Sequence, residues 1–294
     1  MGFEARDSSG QPTRLPITVV ILTKDEEAVV EGAIASARDD YAAVVVLDSH
    51  SADQTRERAE AAGARVVVNT FEGYASQRNF ALHRMPKTTD WVLFLDADER
   101  ISPELSQELH RHFQSFAETK GLLYMRRKDM FEGRWLRHSS GYPTWFGRLC
   151  HAPSVCVRRE INEEYHCDRL THRLSGHLIH FPFAKGLSHW LERHNTYSSL
   201  EAATKLQGEV WEAGLILSRD PGQRRKGLKQ VYMRLPFRPF FGFLYLYVVN
   251  GGFLDGGPGL RFALLRAFYE LTISIKIDEM RAGRPQDPTG LEKE

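Results

Sequence analysis

The feature that most constrains this chain is a repeated alternation of short apolar runs with polar, helix-favouring stretches through about residue 118. Ile17 to Leu22 is continuously apolar and β-branched, as a strand covered on both faces must be. Ala43 to Leu47, Ala64 to Val68 and Trp91 to Leu95 repeat the pattern. Between them, Thr23 to Glu26 and Ser51 to Gln54 carry the spacing of a capping box, and Ser102-Pro103 places proline at a first helical position. The sequence therefore predicts four β-α units, an α/β protein with a Rossmann-like, mostly parallel nucleotide-binding sheet. From Gly121 to His180 the signals become short, aromatic and rich in His and Arg. A helix is expected over Leu187 to Leu206, then a basic stretch, an apolar run from Phe240 to Val249, a glycine-rich turn from Gly251 to Gly259 and a last helix from Leu260 to Ile277. This divides the chain into 15–120, 121–215 and a basic, amphipathic helical extension over 216–294.

Acids collect where those strands end. Asp25 and Glu26 follow the first strand, Asp48 the second, and Asp96 and Asp98 the fourth. Ligands of open α/β sheets bind beyond the carboxyl ends of the strands. Converging carboxylates repel an anion unless a cation intervenes, and a hard divalent ion takes carboxylate and phosphate oxygens together. In an extended segment alternate residues project to one side, so the two acids of Asp96-Ala97-Asp98 can face one site. Such a pair in isolation more often ends a strand and caps a helix, and Asp48 alone reads as a turn residue.

With 42% hydrophobic and 26% charged residues, the 294-residue chain has the composition of a folded protein. A formal net charge of +1 argues against a dedicated nucleic-acid binder. Three cysteines with no CxxC pair favour free thiols in a reducing compartment over disulfides or a zinc site. The first fourteen residues lack the apolar core of a secretory signal, and no uncharged run reaches the ~20 residues of a spanning helix. A cytoplasmic protein is expected, with any membrane contact peripheral.

Together these segments resemble glycosyltransferase family 2. Ile17 to Glu26 is similar to its first strand and nucleotide loop, Val46 to Thr55 to its VDxGSxDxT segment, and Leu95-Asp96-Ala97-Asp98-Glu99 to its metal-binding DxD. His50 stands where that family usually has glycine. Within the family, Gln77 to Leu82, Arg137 to Pro143 and Gly251 to Gly256 resemble segments of bacterial transferases that extend the lipopolysaccharide core. Where the family commonly shows Val-His-Glu, this chain has Ile161-Asn162-Glu163.

The resemblance implies a GT-A nucleotide-sugar fold and an inverting, metal-dependent hexosyltransferase that uses Mg²⁺ or Mn²⁺. It further implies a nucleotide-sugar donor, a UDP-hexose above all, and a lipid-linked glycan acceptor of the lipopolysaccharide or surface-polysaccharide kind. Thr23, Asp25, Glu26, Asp48, Arg78 and Asp96 would then hold the nucleotide, and Asp96, Asp98 and His180 the metal. Asp98 would serve catalysis, and Glu163 would be the base, with Glu164 and Asp168 as alternates. Arg148 joins Arg78 as a candidate partner of the diphosphate. On a helical wheel Ala263, Leu264, Ala267, Phe268, Leu271 and Ile275 share a face. Beside the basic stretch, this suits an element lying on the anionic inner face of the plasma membrane. The rival readings are a catalytically silent nucleotide-sugar-binding or membrane scaffold and a sugar nucleotidyltransferase. The second would want a glycine-rich basic loop where Thr23-Lys24-Asp25-Glu26 stands.

Overall fold

The computed structural model describes residues 14–158, 163–206, 217–218, 220–232 and 237–283. Two compact units arise, one of residues through Trp135 together with Tyr142–Lys185, the other of Leu136–Gly141 with the segment from Gly186 onward.

The first unit is built on a sheet whose central strands are the apolar runs. β1 (Leu15–Thr23), β2 (Tyr41–Asp48), β3 (Arg65–Val68) and β4 (Trp91–Asp96) are parallel, in the order β3-β2-β1-β4. The sheet continues through β8 (Trp145–His151), β6 (Lys120–Phe131) and β11 (Leu170–His180) to β5 (Glu99–Ile101). β8 runs antiparallel to both β4 and β6, while β6 and β11 are parallel. Ile17, Val19 and Ile21 are buried with Leu93, Leu95, Leu105 and Leu109 on one face; Val20, Val92, Phe94 and Leu122 are buried on the other. Burial on both sides explains why these strands read as unbroken apolar runs. β6 and β11 interleave charged residues with apolar ones, because their polar positions face a site rather than a core. The short β7 (Arg134–Trp135) pairs with the end of β6, and β9 (Val155–Arg158) pairs with β10 (Glu164–Cys167).

Of the three cap signals read from sequence, only the one at α4 (Pro103–Thr119) caps a helix: Ser102 Oγ accepts from the Leu105 N–H at 3.2 Å. α1 begins at Val30 and α2 at Thr55, so neither capping box forms. The side chains expected to cap are spent on lacing two loops together. The consecutive N–H groups of Asp25, Glu26 and Glu27 donate to Ser51 Oγ, Thr55 Oγ1 and Asp53 Oδ2 at 2.9, 2.7 and 3.1 Å. In return, Asp25 Oδ1 and Glu27 Oε2 accept from the N–H groups of Ala52 and Gln54 at 2.7 and 3.0 Å. Such local side-chain bonds compete with the helix for the same backbone groups. α3 (Tyr74–His83) completes the crossovers.

In the second unit, α5 (Gly186–Leu206) packs on α8 (Gly256–Arg281). His194 stacks on Trp190 at 3.6 Å, meets Tyr269 edge-on at 5.0 Å, and Lys276 Nζ donates to Asn195 and Ser199. α6 (Pro221–Tyr232) precedes α7 (Arg238–Leu244), whose Arg238 is buried and pairs with Glu270 at 2.9 Å. Of the wheel face read from sequence, Leu264, Phe268, Leu271 and Ile275 are exposed in the structure and Ala263 is buried. α8 buries Gly259, Ala263, Tyr269 and Ile273, while Leu260, Leu264, Phe268, Leu271 and Ile275 face outward among the described residues. Small residues decide this: a Cβ on Gly259 would strike the Gly252 carbonyl, so the glycine face is the one that lets α8 close on the turn before it.

That turn, Gly252–Asp255, ends on a buried carboxylate. Asp255 accepts from the N–H groups of Arg137, His138 and Ser139 at 3.2, 2.9 and 2.8 Å, and from the Ser139 hydroxyl at 2.7 Å. The two segments Arg137–Pro143 and Gly251–Gly256, far apart in sequence, are thus joined through one anion. Asp255→Asn is expected to destabilise the unit by about 3 kcal/mol, because an amide sets donors against buried donors. Thermal unfolding checks this; a melting temperature within a degree of the parent would show that the anion is dispensable.

Candidate active site

The end of β4 carries the chemistry. Asp96 is its last residue, Ala97 and Asp98 form a tight turn, and β5 opens with Glu99. The turn is fixed by backbone and side chain together: the Asp96 N–H donates to Glu99 Oε2 at 3.1 Å, and the Phe181 N–H to the Asp98 carbonyl at 2.9 Å.

Arg148, buried on β8, grips this corner. Its Nη1 and Nη2 donate to the two oxygens of Asp96 at 3.1 and 2.6 Å, and Nη2 also reaches Glu99 Oε1 at 2.9 Å. Arg127 on β6 approaches the same Glu99 oxygen at 3.8 Å and Asp129 at 3.0 Å. Burial pushes the Asp96 carboxyl up, but Arg148 and Arg78 more than reverse it and hold it well below the usual carboxylate range. For the fully buried Glu99 burial wins over Arg148, and its affinity for a proton is raised. Burial opposes the charge of Arg148, yet Asp96 and Glu99 outweigh it and keep the guanidinium firmly protonated.

Arg78, buried on α3, is the second cationic arm. Its Nη2 lies 3.6 Å from Asp96 Oδ1 and its Nε donates to Glu163 Oε1 at 2.7 Å. Its Nη1 is buried with no hydrogen-bond partner, a donor left over that suits a phosphate oxygen. Tyr165 on β10 reaches the other Glu163 oxygen at 3.4 Å. Glu164, by contrast, is exposed on β10 and Asp168 lies exposed in the turn beyond it.

Asp98 has a separate partner. Its Oδ2 lies 3.3 Å from His180 Nε2, and His180 Nδ1 bonds Asp129 Oδ1 at 2.6 Å. Burial lowers the affinity of His180 for a proton, but Asp129 and Asp98 more than offset it, and its pKa is pushed up to about 9.

The nucleotide-loop candidates sit nearby in a different role. Asp48 is fully buried; its carboxylate accepts from the Thr23 hydroxyl at 2.9 Å and from the Ser51 N–H and hydroxyl at 2.9 and 2.5 Å. Thr23 is buried with it, so both residues brace the loops from behind. Asp25 is exposed in a left-handed conformation (φ 54°), and Glu26 pairs with Lys185 at 2.9 Å. His50, in the position where glycine is usual, also adopts positive φ (59°) and keeps the loop's path, its carbonyl accepting from Lys24 Nζ at 2.6 Å. Asn162 lies outside the described residues.

Asp96, Asp98, Arg78, Arg148, Glu163 and His180 are therefore brought into one linked network, and Glu99, Arg127, Asp129 and Tyr165 are its further members. Among the described residues no three His, Cys, Asp or Glu side chains converge as metal ligands.

The mostly parallel sheet and its strand-end carboxylate corner are those of a GT-A fold. The chain matches the family model "Glycosyl transferase family 2" over residues 18–174 and belongs to that family. It is 41% identical over 108 residues to an uncharacterized glycosyltransferase of Rickettsia bellii, a match covering 37% of this chain and 36% of that protein. The matched stretch thus spans little more than a third of the length of such relatives. A likeness of 24% identity over 286 residues, covering 92% of this chain and 94% of the relative, links it to the lipopolysaccharide core biosynthesis glycosyltransferase LpsC of Rhizobium meliloti. Among solved structures it is similar to glucosyl-3-phosphoglycerate synthase of Mycobacterium tuberculosis in complex with Mn²⁺, UDP and glucosyl-3-phosphoglycerate. That likeness has 27% identity and a TM-score of 0.32 and covers 39% of this chain and 44% of that one. No described helix is long and apolar enough to cross a membrane.

Proposed function

We propose that this glycosyltransferase moves a hexose from a UDP-sugar to a lipid-linked glycan such as a lipopolysaccharide core, inverting the anomeric carbon. The observation that carries the reading is the double engagement of Arg78, which holds Glu163 with one nitrogen and approaches Asp96 with another while a third stays unpaired. A diphosphate presented to that arm would draw the guanidinium toward itself and release Glu163 Oε1. That oxygen would then accept the proton of the acceptor hydroxyl as the hydroxyl attacks the sugar. Donor binding and arming of the base are thereby linked through one side chain. Asp48 and Thr23 would serve the nucleotide by shaping the loops that carry Asp25 and Glu26.

A hard divalent cation would take the carboxylate oxygens of this corner, with His180 joining them once it gives up the proton it holds between Asp129 and Asp98. Asp98 Oδ2 and His180 Nε2 lie 3.3 Å apart, and Mg²⁺ or Mn²⁺ commonly takes one or two protein ligands, leaving its other positions to water and phosphate oxygens. Asp96, Asp98 and His180 would hold it, and bound there it would neutralise charge on the departing diphosphate. The core-biosynthesis name of LpsC supports the acceptor part of the proposal.

UDP release from a panel of UDP-sugars with Mn²⁺ or Mg²⁺, with and without extracted glycolipid, tests the assignment. Glu163→Gln should lower turnover by about 10²- to 10⁴-fold while UDP binding persists. Near-normal turnover in that variant would move the base to Glu164 or Asp168.

A peripheral seat on the inner face of the plasma membrane suits the second unit. Leu264, Phe268, Leu271 and Ile275 form an outward stripe on α8, and Arg224, Arg225, Lys226 and Lys229 lie in the sequence of α6. An outward apolar stripe on α8 and a basic sequence in α6 suit anionic lipid. Co-sedimentation with vesicles containing anionic lipid should exceed that with neutral vesicles and fall in Phe268→Glu; equal recovery would remove the membrane from this reading.

A further inference from the structure

On the sheet of the first unit, cations and aromatic rings alternate in a ladder that the reaction network does not use. Trp145, at the start of β8, has the Arg126 guanidinium over its ring at 5.3 Å and that of Arg173 at 5.2 Å. Arg126 also lies 5.9 Å from the Tyr142 ring, Tyr142 meets Trp135 edge-on at 5.1 Å, and Lys128 Nζ stands 5.0 Å from Trp135. His177 stacks beside Tyr142 at 5.9 Å and shares a 2.9 Å hydrogen bond with its hydroxyl.

Cation–ring contacts stabilise a surface by themselves, by ~0.5–1 kcal/mol each where exposed, so the rings alone decide nothing. The charges do. Among the described residues none of Arg126, Lys128 and Arg173 forms an ion pair with a carboxylate. Arg126 donates instead to the Ser175 carbonyl. Next to them on the same sheet, Arg127 and Arg148 are both paired with acids. The acids nearest the ladder are committed elsewhere. Glu108 gives one oxygen to the Ser175 N–H and the other to the Gly176 N–H, at 2.9 and 2.7 Å, and Glu104 bonds Ser102 at the start of α4. Lys128 has Glu104 within electrostatic reach, but Arg126 and Arg173, both over the Trp145 ring, pair with no carboxylate among the described residues and repel one another, a cost that folding alone does not call for. The positive surroundings register at His177, whose pKa falls to about 4 through burial and then through Lys128 and Arg126.

We infer that the ladder of Arg126, Lys128, Arg173, Trp135, Tyr142 and Trp145 binds a sugar residue bearing an anionic group. The apolar face of a pyranose would lie on an indole or phenol ring, and guanidinium forks would take a phosphate or carboxylate. This deepens the proposed function by naming a feature of the acceptor, and it rests on that reading only for the word acceptor. Alternation along β6 sends Arg127 and Asp129 toward the reaction network and Arg126 and Lys128 to the opposite face. The ladder therefore takes a flanking sugar of the glycan rather than the one whose hydroxyl reacts.

The test separates binding from turnover. Indole N–H resonances of the ¹⁵N-labelled protein are followed during titration with mannose 6-phosphate, glucuronate, mannose and inorganic phosphate, and UDP with Mn²⁺ is titrated separately. Mannose 6-phosphate or glucuronate should shift the Trp145 and Trp135 signals and bind at least about tenfold tighter than mannose. The Arg126→Ala/Arg173→Ala double variant should lose that preference while its melting temperature and UDP affinity hold. With extracted glycolipid the same variant should raise the acceptor KM at least about tenfold. Equal binding of charged and neutral sugars, or a variant that keeps the preference, would overturn the inference. Inorganic phosphate binding as tightly as the sugar phosphate would overturn the sugar part of it. Absence of turnover with any UDP-sugar would sink the proposed function alone, since the sugar titrations do not depend on it.

Discussion

Asp98→Asn is expected to fold normally and to lose turnover by about a thousandfold or more, the order of effect that several kcal/mol of lost charge stabilisation produces. The geometry makes this substitution clean. The turn that carries Asp98 is held by the Asp98 carbonyl and by the Glu99 side chain on the Asp96 N–H, neither of which the change touches. His180 keeps Asp129 as a partner at 2.6 Å, so no buried cation is stranded. What disappears is one anionic oxygen facing His180 at the rim of the site. If Asp98 merely ended a strand, the amide would serve as well, and turnover within a few-fold of the parent would be measured. Rates with Mn²⁺ in excess, compared at matched melting temperature, distinguish the outcomes.

The acidic corner was legible because acids recur at the ends of three parallel strands and Asp96-Ala97-Asp98 resembles a family motif, whereas the pair alone more often only ends a strand. The loop segment Ser51-Ala52-Asp53-Gln54-Thr55 was legible as a motif but not as a structure. Its alternate polar residues look like a helix cap, and only the opposing loop, whose N–H groups they accept, shows otherwise. Glu99, the last residue of Leu95-Asp96-Ala97-Asp98-Glu99, carries no comparable signal. Nothing local says that the residue after Asp98 is wholly buried, since its burial depends on Arg148 arriving from a strand forty-nine residues away. Arg127 and Asp129 were hidden for a related reason: in Met125 to Met130 two arginines, a lysine and an aspartate mask the alternation that assigns them to opposite faces. On α8, apolar residues alone could not fix which side packs, because Tyr269 and Ile273 are buried while Phe268, Leu271 and Ile275 are exposed, and the close approach of Gly259 to the Gly252 carbonyl decides between the two sides.

The largest stability effect is expected from Arg148→Met, which removes the cation that two carboxylates share. A methionine fills much of the space, but Asp96 loses its two closest donors, at 3.1 and 2.6 Å, and Glu99 its hydrogen bond at 2.9 Å. Removing one partner of a buried pair costs about 3–5 kcal/mol, chiefly because the remaining charge is left in a poor solvent. Glu99 carries most of that burden: it is fully buried, and it keeps the Asp96 N–H at 3.1 Å and Arg127 at 3.8 Å as polar contacts. Its proton affinity, already raised by burial in the parent, rises further without Arg148. The sign of the pH dependence follows. Above the ordinary glutamate pKa of about 4.3 the unfolded chain releases this proton while the folded variant retains it, so the folded state binds more protons and loses stability as pH rises. Denaturant unfolding of Arg148→Met should therefore show a stability loss that widens from pH 4.5 toward neutrality. A loss that is the same across that range would mean the Glu99 charge is satisfied without Arg148, and the corner would have to be held by its backbone alone.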